Sequence, residues 1–263
     1  VSVVRDISAG VGLIARIPAA FLGICVVGSL VETMLALGGY LMLAPFVVTV
    51  VGAYMLIVLA TEVCLGVTGF RAIDWRPKPP QMLATLVSGL MIFVIFMITL
   101  LPFSLVFLLV AAPPLPAEPA QSAEEMEAMF GAFLEQLLAN PTSIAMLVAG
   151  TVAVLAFAAS RFAMVPVISI AWQLDFGAAR KRHAERFLGL RWRLFQAFVV
   201  LLGLSFLISF GAGKVIGGPA GLLLGGLADW LVGLALPIAV TAAILYESAM
   251  GQEQAGAEDN PQA

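Results

Sequence analysis

The stretch 82-MLATLVSGLMIFVIFMITLLPFSLVFLLVA-111 decides the fold. It holds no ionisable side chain, and its apolar residues follow one another without alternation at period two. Strands of an outer-membrane barrel alternate and run about 10 residues. A helix crossing about 30 Å of hydrocarbon needs about 20 predominantly apolar residues. The stretch therefore reads as a transmembrane helix, with Pro102 where so long a run would bend or end.

Five more runs of this kind are present, so the expected spans are about 17–36, 41–67, 82–111, 143–172, 195–211 and 222–246. Pro166 marks a second bend or stop. Composition agrees: 62% of the 263 residues are hydrophobic and 11% are charged, against about 45–50% and about 25% in soluble domains. The mean hydropathy is +1.07. A soluble globular enzyme, a disordered chain and a disulfide scaffold are excluded. Cys25 and Cys64 lie inside apolar runs, form no CxxC, and read as small apolar residues. The fold class is an all-α polytopic membrane helix bundle of about six spans. It forms one domain over residues 1–246, with an acidic, disordered cytoplasmic tail over 247–263.

Basic residues set the expected orientation. Arg5 and Arg16 precede the first run; Arg71, Arg76 and Lys78 follow the second; Arg180, Lys181, Arg182, Arg186, Arg191 and Arg193 lie between the fourth and fifth. The segment Pro113–Asn140 has no Lys or Arg and carries Glu118, Glu124, Glu125, Glu127 and Glu135. Both termini are expected in the cytoplasm of a bacterial-type inner membrane, with the acidic segment outside.

Two segments read as amphipathic interfacial helices. Outside, Ser122 and Glu125 form a capping box. Met126, Met129, Phe130, Phe133, Leu137 and Leu138 then share a face, and Asn140-Pro141 stops the helix. This helix is a lid on the bundle or a docking site for a partner. Inside, Asp175–Leu194 carries six Arg and Lys residues. Arg180, Lys181, Arg182, Arg186, Arg191 and Arg193 are the expected contacts to anionic lipid, at about 1 kcal/mol per cation near the surface. They also serve as the topology signal. His183, alone among these cations, is expected to have a lowered pKa and cannot form a zinc site.

Ionisable residues inside spans are functional candidates by default. Arg16 is placed to snorkel, and Glu32 and Asp229 fall near the outer boundary, where water would solvate them. Glu62 and Arg161 both fall in the cytoplasmic half, and their depth predicts an ion pair joining the second and fourth runs. Gly213, Gly217, Gly221 and Gly225 recur every four residues and suit close internal helix packing, with Pro219 interrupting them.

No HExxH, GxSxG, Walker A loop or paired intramembrane aspartates occur, and no extramembrane stretch exceeds about 35 residues. No catalytic residue, cofactor, metal site or nucleic-acid partner is expected.

The stretch from Arg161 to Leu207, RFAMVPVISIAWQLDFGAARKRHAERFLGLRWRLFQAFVVLLGLSFL, contains Arg161, Pro166, Ala178-Ala179 and Trp192-Arg193-Leu194-Phe195. With the basic loop Gly69–Gln81, it resembles the membrane domain found beside glycerophosphodiester phosphodiesterases and related bacterial multi-helix membrane proteins. The family's Ser-Trp and Thr in the interfacial helix are replaced here by Lys181, Arg182 and Glu185-Arg186. The resemblance covers about half the chain. It implies a six-helix module without the soluble catalytic domain, so no catalytic residue carries over.

The expected function is a non-enzymatic membrane module, a scaffold or accessory subunit that contacts anionic lipid and a partner membrane protein. The alternative is a small transporter or lipid-handling protein using the Glu62/Arg161 region. A polar cavity open to one side around Arg161 would favour the second; a dry interior with a satisfied Arg–Glu pair would favour the first.

Overall fold

The computed structural model describes residues 3–38, 43–67, 72–76, 78–110 and 122–258; among them every regular element is helical. In chain order these are α1 (Val3–Ile14), α2 (Pro18–Leu37), α3 (Leu43–Cys64), α4 (Pro79–Val110), α5 (Ala123–Ala139), α6 (Pro141–Phe162), α7 (Met164–Ala171), α8 (Phe176–Arg186), α9 (Arg191–Val215), α10 (Gly218–Ala228) and α11 (Leu236–Glu258). A π-helical turn, Asp229–Ala235, joins α10 to α11. Six helical stretches are long and apolar enough to cross a membrane: α2, α3, α4, α6 with α7, α9, and α10 through α11. The chain is thus an all-α polytopic bundle. Arg71, Glu118 and residues 259–263 lie outside the described residues, as do the side chains of Phe130, Leu137 and Leu138.

The prolines act differently at each site. Pro102 leaves α4 helical, with Phe103 and Phe107 packing one turn apart just beyond it. Pro166 has no N–H for the carbonyl of Phe162, and that is where α6 gives way to α7. Pro219 occupies the first turn of α10, where a missing N–H costs nothing. The reversal before it is made by Gly217 and Gly218, at φ +64° and +57°. The glycine series is therefore divided. Gly221 and Gly225 press against Ala212 and Ser209 of α9, while Gly217 makes the turn.

Several boundaries differ from expectation. The basic inner segment is not one helix. Asp175 caps α8 by accepting the Ala178 N–H at 2.8 Å; Phe187 then buries and ends it, and a 3-10 turn leads into α9 at Arg191. Arg191 and Arg193 consequently belong to the first turn of a span. The tail expected to be disordered from Glu247 is helical as far as Glu258. Its run of Ala, Glu and Gln favours continuing α11. Ser122 caps α5 as expected, accepting the Glu125 N–H at 3.1 Å. On α5, Met129 and Phe133 are half-buried while Met126 is exposed. Asn140 ends α5 and caps α6, accepting from the N–H groups of Thr142 and Ser143.

Helix α1 has no counterpart among the expected elements. Its buried face is Asp6, Gly10 and Leu13, at helical spacing, and it packs along α11. A Cβ on Gly10 would overlap Val240. Helices α3, α7 and α11 form the centre, around Leu56, Leu59, Met164, Ile168, Ile244 and Leu245. Helix α4 is peripheral and turns a nearly continuous apolar surface outward, as expected of a helix whose solvent is lipid. The start of α1 meets α11 at one end of the bundle, where Arg5 bonds Glu247 at 2.6 Å. That end also carries α8; α5 lies at the other.

Candidate functional site

Depth along the sequence suggested pairing Glu62 with Arg161, and the structure does not pair them. Ala159 of α6 and Ala163, its C-cap, face α3 across a cavity of about 410 Å³. At about 100° per residue, Arg161, two positions from each, points away from it. Its guanidinium instead lies over the Phe157 ring, 4.6 Å from the centroid. Glu62 is half-buried near the end of α3. Hydropathy along a chain ranks residues by depth; the azimuth that decides contact is invisible in it.

The basic residues also divide. Arg193 is engaged within the protein. Its guanidinium donates to both carboxylate oxygens of Asp6, at 2.7 and 3.2 Å, and to Glu247 at 3.0 Å. Asp6 is only 3% exposed. This network, with Arg5, ties α1, α9 and α11 into one unit. Arg180, Lys181 and Arg186 are exposed on α8, and Lys181 pairs with Glu185. Arg182 stacks over Trp172, 4.3 Å from the ring centroid. Arg16 reaches the Val63 carbonyl near the end of α3. His183 is 2% exposed, and burial, then the charge of Arg191, pushes its pKa down to about 4. The direction was expected from neighbouring charge; burial is the larger cause.

The polar chemistry within the spans gathers nearer the α5 end, around Glu32 and Asp229. Neither carboxylate is a simple boundary residue. Glu32 is held at both oxygens: Oε1 accepts from Thr49 and Oε2 from Trp230 Nε1, each at 2.7 Å. Asp229 Oδ1 accepts from Ser205 at 2.8 Å and Ser209 at 2.7 Å. Its Oδ2 has no partner among the described residues, and Asp229 is exposed on the wall of a cavity of about 590 Å³. Glu32, Thr49, Thr151, Ser205 and Ser209 line the same cavity. By helical rise Asp229 is about 16 Å along from the start of α10, within the span.

Local sequence explains how the carboxylates are brought here. Pro237 cannot donate to the Gly233 carbonyl, and its ring crowds that carbonyl; the preceding turn widens into the π form. Carbonyls loosened by the wider turn find side-chain donors: Ala228 accepts from Ser205 at 3.4 Å and Trp230 from Cys25 Sγ at 3.6 Å. Trp230, 3% exposed, slots between Gly28 of α2 and Gly52 of α3. A Cβ on either glycine would overlap the indole. The two glycines thus position the N–H that holds Glu32.

The 590 Å³ chamber shares a wall with the 410 Å³ cavity: Thr49, Leu155, Leu202, Gly233 and Leu234 line both. The deeper cavity is mostly apolar, but Ser88, 2% exposed, presents a hydroxyl there with no partner. A buried hydroxyl in that position calls for water or a polar guest. Glu32 and Asp229 were visible in the sequence as intramembrane acids. Their partners were not, because Thr, Ser and Trp barely change a hydropathy average. Among the described residues no group of acids, Cys and His is arranged to hold a metal ion.

No family model, curated protein or solved structure matches this chain. The resemblance to the phosphodiesterase-associated membrane domain therefore rests on its residues alone.

Proposed function

We propose that this chain is a small non-enzymatic transporter of the bacterial-type inner membrane, with both termini cytoplasmic. In this reading its ligand chamber is the Glu32–Asp229 cavity rather than the Glu62/Arg161 region. The observation that carries the reading is the free Oδ2 of Asp229, a residue that lines the 590 Å³ cavity and lies in a helical stretch long and apolar enough to cross a membrane. A carboxylate at that depth is expensive unless it has a task. Glu32 is saturated and serves as the pin between α2, α3 and the π turn. Asp229 has one oxygen to offer, and the mainly apolar cavity beside it suits the body of an organic cation. The orientation rests on the gathering of Arg and Lys residues before the first span, between the second and third, and between the fourth and fifth. The scaffold reading has no comparable set of residues behind it.

The test uses purified protein in micelles and in liposomes, with tetraphenylphosphonium and ethidium as probes. Wild type is expected to bind and move at least one of them. Asp229→Asn keeps the size and loses the charge, and should weaken binding about tenfold or more, the worth of one hydrogen bond to a charged group. Equal binding by wild type and Asp229→Asn, or none by wild type, refutes the chamber as a cation site.

A further inference from the structure

At the opposite end of the bundle two guanidiniums and a buried imidazole collect without an acid. Arg161 stands on the last turn of α6, Arg191 opens α9, and His183 is on the buried face of α8. Helices α6 and α9 pack together, and Ala159, near the end of α6, lines one cavity with Phe198, in the first third of α9. The charge of Arg161 acts on Arg191, and that of Arg191 acts on His183; no carboxylate acts on either. The nearby acids are engaged elsewhere. Asp6 and Glu247 hold Arg193, Glu185 pairs with Lys181, and Asp175 caps α8. Arg161 makes only its ring contact with Phe157.

Three further facts mark the place as built for an anion. His183 is 2% exposed, and its Nε2 has no partner. Arg191 Nε is likewise buried and unpartnered. Helix α9, 25 residues long, begins there without a side-chain cap. The partial positive charge of a helix start favours an anion. Two guanidiniums within repulsion range at the edge of a span would destabilise one another. A tetrahedral oxyanion between them offers several acceptors to their planar forks.

We propose that Arg161, Arg191 and His183, with the first turn of α9, form a binding site for a phosphate group. Its source is either the headgroup of an anionic phospholipid or a free phosphate. This assignment differs from general attraction by the basic helix. It names two arginines and a histidine, and leaves Arg180, Lys181 and Arg186 as unspecific surface. It does not depend on the chamber at the α5 end.

The experiment compares wild type, Arg161→Gln/Arg191→Gln and a control, Lys181→Gln/Arg186→Gln, which removes the same charge from the exposed face of α8. One arm reconstitutes each protein in nanodiscs of phosphatidylcholine with phosphatidylglycerol, re-extracts it, and counts retained lipids by native mass spectrometry. The other arm measures heat stability in micelles with inorganic phosphate against chloride at equal ionic strength. Retention of phosphatidylglycerol by wild type and control, with loss of about tenfold or more in the Arg161/Arg191 variant, assigns the headgroup. Stabilisation by phosphate with the same pattern, and no lipid retention, assigns a free phosphate. If the double variant does not fold, Arg191→Lys keeps the charge but not the fork, and should weaken whichever effect wild type shows. Equal loss in site variant and control, or no effect in wild type, overturns the site.

Discussion

Replacing Gly28 with Ala probes how Trp230 is seated. A Cβ there would stand 2.5 Å from the benzo edge of the indole, which Gly52 meets as closely from α3. Over-filling a packed interior costs about 1–3 kcal/mol. Pushing the indole aside also strains its bond to Glu32, a hydrogen bond to a charged group worth about 1.5–3 kcal/mol. Against this, Gly→Ala in a helix returns about 0.5–1 kcal/mol. The net expectation is a loss of about 2–4 kcal/mol. Gly23 is the matched control: it lies on the same helix, and a Cβ there meets nothing within 4 Å. Gly23→Ala should be neutral or slightly stabilising. The assay is unfolding in mixed detergent and dodecyl sulfate micelles, followed by circular dichroism and indole emission. Trp230→Phe, with its shorter ring, should recover part of the loss in the Gly28→Ala background. Equal stability of Gly28→Ala and Gly23→Ala would refute the slot.

Asp6→Asn should destabilise by about 3–5 kcal/mol, because it leaves the Arg193 guanidinium, 20% exposed, without its main partner; an Asp6→Ala, Arg193→Ala double-mutant cycle measures the coupling, and a coupling near zero would contradict the pairing. Exchanging the charges at Glu62 and Arg161 should not rescue the expression of either single reversal, since the two side chains point apart; rescue would show that they meet. His183 gives a pH signature in phosphate-free micelles of zwitterionic surfactant. Its folded pKa, about 4, lies below the ordinary imidazole value of 6.5. Above that value the group is neutral in both states and its contribution is complete. As pH falls from 6.5 toward 4 the unfolded chain takes a proton that the native state refuses, and stability falls by at most about 1.4 kcal/mol per pH unit. His183→Gln should remove that slope from the unfolding curves; an unchanged slope would mean the imidazole is not the cause.

The spans were legible because lipid is the solvent for most of this chain. A run such as 82–111 has no other stable form in hydrocarbon than a helix. Helix α1 was missed for the opposite reason. Its face of Asp6, Gly10 and Leu13 is short and mixed, and acquires meaning only against Val240 and Arg193. The chamber was half legible. Glu32 and Asp229 stand out as acids in apolar company, but hydropathy gives depth without rotation. The same limit produced the Glu62–Arg161 pairing. Pro237 was the available signal for the π turn, and it lies eight positions beyond the carboxylate whose setting it changes.

The seat of Trp230 has a consequence for sequence variation. Positions 28, 52 and 230 are far apart in the chain and belong to three helices, yet they share one volume. A large ring at 230 requires Gly at both other positions, and loss of the ring releases them. Among related chains the three should therefore change as a set. Glu32 should accompany the tryptophan, since without the indole N–H it loses one of its two anchors.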